Sequence, residues 1–123
     1  MMSNFFKSFG YAVRGMAYVF KTERNFRVHV GVGFVIVLLM VYYHVTVPQA
    51  VFLTYAIGSV LILEIINTVM ERVTDILKPR VHPYAAVMKD LMAATVLIAA
   101  IGAVISGVLI LGPYVLGSIQ NYL

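Results

Sequence analysis

No lysine or arginine occurs between residues 28 and 71, and none follows Lys89. All nine basic residues of this 123-residue chain lie in two patches, 7–27 and 72–89. A soluble domain of this size carries far more charge than the 11% found here, and 62% of the residues are hydrophobic. Uncharged runs of about 20 apolar residues read as membrane-spanning helices. The chain is therefore expected to be a small all-α membrane protein in one domain, 1–123. The clustered cations are those of cytoplasmic flanks, and this placement argues against a nucleic-acid partner despite the net charge of +4. The absence of cysteine excludes a disulfide framework, thiolate catalysis and cysteine-based metal sites.

Residues 3–21 read as an amphipathic helix on the membrane surface. Phe6, Phe9, Val13, Ala17 and Phe20 recur at helical spacing, while Lys7, Tyr11, Arg14, Tyr18 and Lys21 mark another face. Arg14 interrupts any apolar core, and no small-residue cleavage site follows, so a signal peptide is not expected. After the polar segment Lys21–Arg27, spans are expected at about 28–47, 49–77 and 84–112. Pro48 suits a helix start, Pro79 and Pro83 are expected to open a loop over 78–83, and Gly112-Pro113 to end the last span. Three spans put the N-terminus and the 78–83 loop inside and the C-terminus outside.

One stripe interrupts the second span. Glu64, Asn67, Glu71 and Asp75 follow one another at helical spacing and fall within roughly a quarter-turn of one face. Intramembrane carboxylates are costly and usually mark a site or pathway. By helical rise Glu64 lies roughly 10 Å deeper than Glu71, which sits near the cytoplasmic boundary. Glu23, Lys89 and Asp90 reach that same boundary from other segments. Arg24, Arg72 and Asp75 read as ordinary solvated boundary charges. Glu64 and Asn67 resist that reading, because they stand one turn apart in apolar sequence, although a hydrogen bond across a helix interface would also account for them. His29, His44 and His82 lack metal-ligand spacing, and His44 reads as a plain interfacial residue. The small residues Ala93, Ala94, Ala99, Ala100, Gly102, Ala103, Ser106 and Gly107 are read as serving helix packing.

Glu64-Ile-Ile-Asn67-Thr68-Val-Met-Glu71-x-x-x-Asp75, with His82-Pro83, Lys89-Asp90 and the upstream Thr22-Glu23-Arg24-Asn25-Phe26-x-x-His29, resembles the prokaryotic integral-membrane diacylglycerol kinases, a family that includes undecaprenol kinases. The resemblance covers about residues 8–107. It implies a homotrimer in the bacterial inner membrane that transfers the γ-phosphoryl of ATP to a lipid alcohol at the cytoplasmic face, with Mg2+ as cofactor. By position, Glu64 would be the general base, and Glu23 and Glu71 would hold the magnesium. Lys89 and Asp90 would belong to the nucleotide site with Glu23 and Glu71, joined by Tyr11 and His82. Asn67 and Asp75 would support the polar cluster. Arg14, Phe26 and Arg27 would border the lipid substrate beside Glu64, with the surface helix as a cover. Phosphoryl transfer needs positioning and charge neutralisation, which carboxylates holding a hard cation, together with a lysine, can supply. No P-loop and no protein-kinase motif is present.

The sequence departs from the family pattern at Val69-Met70, where a small residue is usual and a bulkier one would alter close helix packing. It departs again at Leu91-Met92 and Thr95. His29, Thr68 and His82-Pro83 resemble the polyprenol-using branch, which ranks undecaprenol above diacylglycerol as the expected acceptor. Two further readings stay open: a small oligomeric transporter using Glu64 as its coupling carboxylate, and a non-catalytic relative. A transporter carboxylate belongs near the midplane, whereas the polar residues here crowd one interface.

Overall fold

The computed structural model describes residues 2–123, the side chains of Met2 and Val81 aside. It is helical throughout: α1 spans Met2–Thr22, α2 spans Arg24–Tyr43, and α3 spans Val47–Tyr122. The long α3 is not one rod. Lys89 Nζ lies 2.8 Å from Asp75 Oδ1, and Tyr114 donates to Gln49 Oε1 at 2.8 Å. A straight helix would hold the first pair roughly 21 Å apart. The chain therefore doubles back, making a first limb, Val47–Arg80, and a return limb, His82–Tyr122. With α2 these are, among the described residues, three helices long and apolar enough to cross a membrane.

The corner is tighter than the loop expected over 78–83. Pro79 and Pro83 both sit within helical backbone. Neither has an N–H, so the carbonyls four residues earlier lose their partners and the helix bends there. Gly112-Pro113 does not end the last span either, because the return limb continues to Tyr122. In a helix flanked by apolar surface, one missing N–H costs less than unwinding several more.

The turn between α2 and α3 is set by local chemistry. His44 takes the left-handed conformation (φ 52°) at the end of α2, and its N–H closes onto Met40 and Val41 carbonyls. Thr46 and Gln49 then form a reciprocal capping box, with Pro48 in the first turn. Gln49 Oε1 accepts from Thr46 N–H and from Tyr114, while the Tyr43 and Tyr114 rings stand 5.7 Å apart. Gln49 thus ties the two limbs of α3 at this end, and the Tyr43 ring joins α2 to them through Tyr114.

Between the ends the buried apolar core is thin: Phe26, Leu53, Val60, Ala85 and Leu111, with Val19 from α1. Most large apolar side chains face outward, including Phe34, Tyr55, Ile98 and Leu109. Surface of that kind suits hydrocarbon or other protein. α2 approaches the first limb closely at Gly33, where an added Cβ would stand 2.9 Å from Ile57 Cγ2. At Gly31 nothing lies within 4 Å. Gly33→Val is expected to cost about 1–3 kcal/mol by overpacking, while Gly31→Val is close to neutral. Thermal unfolding in micelles checks this, and equal midpoints for the two variants would contradict the close approach.

Candidate active site

The break between α1 and α2 is one residue wide, and that residue is Glu23. Its backbone is extended (φ −112°, ψ 110°), and its N–H still bonds the Val19 carbonyl at 2.9 Å. Arg27 holds the corner in shape by donating from Nη1 to the Phe20 and Lys21 carbonyls at 2.8 and 3.0 Å. These are last-turn acceptors that α1 cannot satisfy itself, and a cation there also favours the negative end of the helix dipole. Expected beside the lipid substrate, Arg27 is seen acting as a helix cap. Phe26, expected there too, is buried under the same corner.

From the first limb, Arg72 reaches across. Its Nε donates to the Tyr18 hydroxyl at 3.0 Å, and its Nη2 lies 3.4 Å from Glu23 Oε1. Arg72 therefore links α1, the corner and the first limb, a role beyond the solvated boundary charge read from sequence. On the same stripe Asn67 Nδ2 donates to Glu71 Oε1 at 3.4 Å. Glu71 lies two turns from Glu64 on that stripe, and Glu23 is joined to the same limb through Arg72.

Glu64 is the centre of the arrangement. It is only 3% exposed, and its Oε1 lies 3.2 Å from His29 Nε2 on α2. Thr68, one turn on, turns its hydroxyl back to the Glu64 carbonyl at 3.0 Å and is also buried. His29, Tyr18 and Arg72 were not singled out as site residues from sequence. Depth was the available signal for His29: it lies about one and a half turns into α2, which matches the inset of Glu64 from the boundary.

The remaining expected residues are less gathered. Lys89 pairs with Asp75 at 2.8 Å, one turn beyond Glu71 on the stripe. Tyr11 stacks on Arg14, whose guanidinium carbon stands 4.9 Å from the ring centroid. His82 and Asp90 are exposed and make no side-chain hydrogen bond or ion pair among the described residues. Val69 and Leu91, the bulky departures, are exposed, so neither crowds a helix contact within the chain.

Among the described residues no group of three or more His, Cys, Asp and Glu side chains is placed to hold a metal. Glu23 and Glu71 offer oxygen donors from separate segments. Such a pair fits Mg2+, which binds through one or two carboxylates and leaves its other positions to water and phosphate.

Comparison with known proteins shows the family. Residues 10–111 match the family described as prokaryotic diacylglycerol kinase. The chain belongs to that family. It is 38% identical over 111 residues to the diacylglycerol kinase of Synechocystis, covering 89% of this chain and 63% of that protein. It is 31% identical over 112 residues to the undecaprenol kinase of Bacillus subtilis, covering 91% of each. The chain thus spans less than two thirds of the cyanobacterial relative and nearly all of the Bacillus one.

The His29–Glu64 contact generates a stability prediction. His29→Leu strands a buried carboxylate and is expected to cost about 1–3 kcal/mol, while His29→Leu with Glu64→Leu together recovers most of that loss. A double-mutant cycle of unfolding midpoints reads the coupling. Strictly additive losses would show that the two side chains do not stabilise one another.

Proposed function

We propose that this protein is a lipid kinase that moves the γ-phosphoryl group of ATP to the hydroxyl of a membrane lipid, with undecaprenol favoured over diacylglycerol. One observation carries the reading: a buried carboxylate, Glu64, beside His29 inside an apolar span, with Glu71 on the same helical stripe and Glu23 brought to that limb by Arg72. The names borne by the relatives support the class of reaction. Their names diverge on the acceptor, and the ranking rests on His29, Thr68 and His82-Pro83 in the sequence.

Each part of the chain has a task in this reaction. Glu64 accepts the lipid hydroxyl proton at a carboxylate oxygen as the lipid oxygen bonds to the γ-phosphorus. The bond from that phosphorus to the β-bridging oxygen breaks, and ADP leaves. General-base help of this sort is typically worth roughly 10²–10⁴-fold. His29 keeps the carboxylate in one orientation, and the low exposure of the site limits competing attack by water. Glu23 and Glu71 would hold Mg2+, with Asn67 fixing Glu71 and Arg72 fixing Glu23. The ion supplies neutralisation of phosphate charge. Lys89 and Asp90 would contact the nucleotide, with Asp75 steering the lysine ammonium and Tyr11 and His82 at the margin.

In this reading the site faces the cytoplasm of a bacterial inner membrane, as the basic flanks require. α1 lies on the membrane surface, with Arg14 at the lipid side. A chain with so thin a core cannot enclose a nucleotide alone, and a homotrimer supplies the missing walls. The transporter reading is disfavoured because Glu23, Glu64 and Glu71 gather toward one end of the spans, near the α1–α2 corner.

The test is transfer of labelled γ-phosphate from Mg-ATP in lipid-reconstituted protein offered undecaprenol and diacylglycerol in parallel. Label is expected in undecaprenol. Glu64→Gln should lower turnover by roughly 10²–10⁴-fold, with oligomer and lipid binding retained. Unchanged turnover in that variant would remove Glu64 as the base, and label in neither lipid would remove the kinase reading.

A further inference from the structure

A cavity of about 580 Å³ runs between α2 and the two limbs of α3. Its lining is apolar along its whole length, from Val28 to Leu39 on α2 and from Ala100 to Leu116 on the return limb. Among its wall residues the one titratable side chain is His29, at one end. That same imidazole lies 3.2 Å from Glu64 Oε1. By helical rise the α2 wall is roughly 16 Å long, directed away from the charged end of the bundle. The shape is therefore that of an amphiphile standing along the membrane normal, one hydrogen-bonding group at its head and a linear apolar tail below.

We propose that this cavity seats the tail of the lipid acceptor, a single-chain lipid alcohol whose hydroxyl lies at His29 and Glu64. The inference rests on the reading of Glu64 as general base and adds the place where the chain goes. Several wall residues, among them Val32, Val104 and Val108, are also exposed on the outside of the bundle. A chain dissolved in the bilayer enters sideways between them without passing through water. Apolar cavities of about 150 Å³ accept one benzene, so this one holds a chain segment of several such volumes, and the remainder of a long lipid extends into the bilayer. A two-chain lipid has only one of its tails accommodated. A second crevice, between α1 and the first limb, is lined by Gly15, Met16, Val19 and Val73 but also by Arg72. The inner cavity is favoured because its own wall residue, His29, contacts the Glu64 carboxylate.

Two glycines allow the test. The Asp75–Lys89 and Gln49–Tyr114 contacts fix the register of the limbs, which puts Gly107 at the level of Ile57, roughly 10 Å below Glu64. Gly112 lies deeper still. Both line the cavity, and an added Cβ at either meets nothing within 4 Å. Gly107→Leu and Gly112→Leu therefore fill the tail path without touching the site. With reconstituted full-length protein, kcat/KM for undecaprenol is expected to fall by roughly 10-fold or more in Gly107→Leu. Turnover of geraniol, too short to pass Gly107, should stay unchanged. Equal losses for both alcohols, no loss for either, or a changed oligomeric state in the variants would overturn the proposal. The last outcome would mean that another copy of the chain fills the space.

A second measurement stands apart from catalysis. A prenol carrying a diazirine near its tail is photolysed with the unmodified protein and with Glu64→Gln. Label on return-limb residues 103–116 is expected in both. Label confined to α1 would place the chain in the outer crevice and overturn the inference even if phosphoryl transfer proceeds. No transfer by the unmodified protein, with cavity labelling intact, would instead overturn the kinase reading alone.

Discussion

A carboxylate with almost no exposure, set among apolar helices, cannot be left alone. Glu64 is tolerated because His29 comes to it from α2 at 3.2 Å, and an unpartnered charge there would be far costlier than the pair. That one requirement fixes the rotation and height of α2 against the first limb. The rest follows in sequence. With α2 placed, Gly33 is the residue that lets the two backbones close on Ile57. The α1–α2 corner then falls level with Arg72, and Glu23 comes within reach of its guanidinium. The spacing of the stripe from Glu64 to Asp75 does the remainder, bringing Lys89 of the return limb to the end of the same row.

The sequence made the helical spans and the polar stripe plain, because both are periodic signals in a chain with few charges. It also named Glu23, Glu64 and Glu71, and in the structure Arg72 joins Glu23 to the limb that carries the other two. What it could not supply were partners between segments. His29 looked isolated because histidine pairing has no local spacing when the second member lies on another helix. Arg72 looked like a boundary charge because its exposed guanidinium acts across the bundle on Tyr18 and Glu23. Arg27, expected beside the substrate, also reaches the carbonyls that the end of α1 leaves open, a contact that no local spacing announces. The prolines were read correctly as the place of reversal and too strongly as the end of helix. Each removes one N–H, and the backbone on either side has nothing better than helix to form in an apolar setting.

Charge and apolar surface are divided lengthwise. One end of the bundle carries the ion pairs and the α1–α2 corner, while the middle carries small residues and the cavity. A reaction that joins a charged, water-borne phosphate to an alcohol buried in hydrocarbon needs both regions in contact at a single point. Glu64 and His29 are the point where they meet here, the carboxylate belonging to the first and the imidazole bordering both.

At the opposite end Gln49, Tyr43 and Tyr114 fasten the three spans, and at the near end Lys89 clasps Asp75. Between those fastenings, few side-chain hydrogen bonds cross from one span to another, and each helix meets its backbone needs internally. The bundle is in effect a seam stitched by polar contacts at both ends and held between them by apolar packing around a cavity. A guest seated in that cavity lies between the fastenings, so it adds to the seam without displacing a stitch.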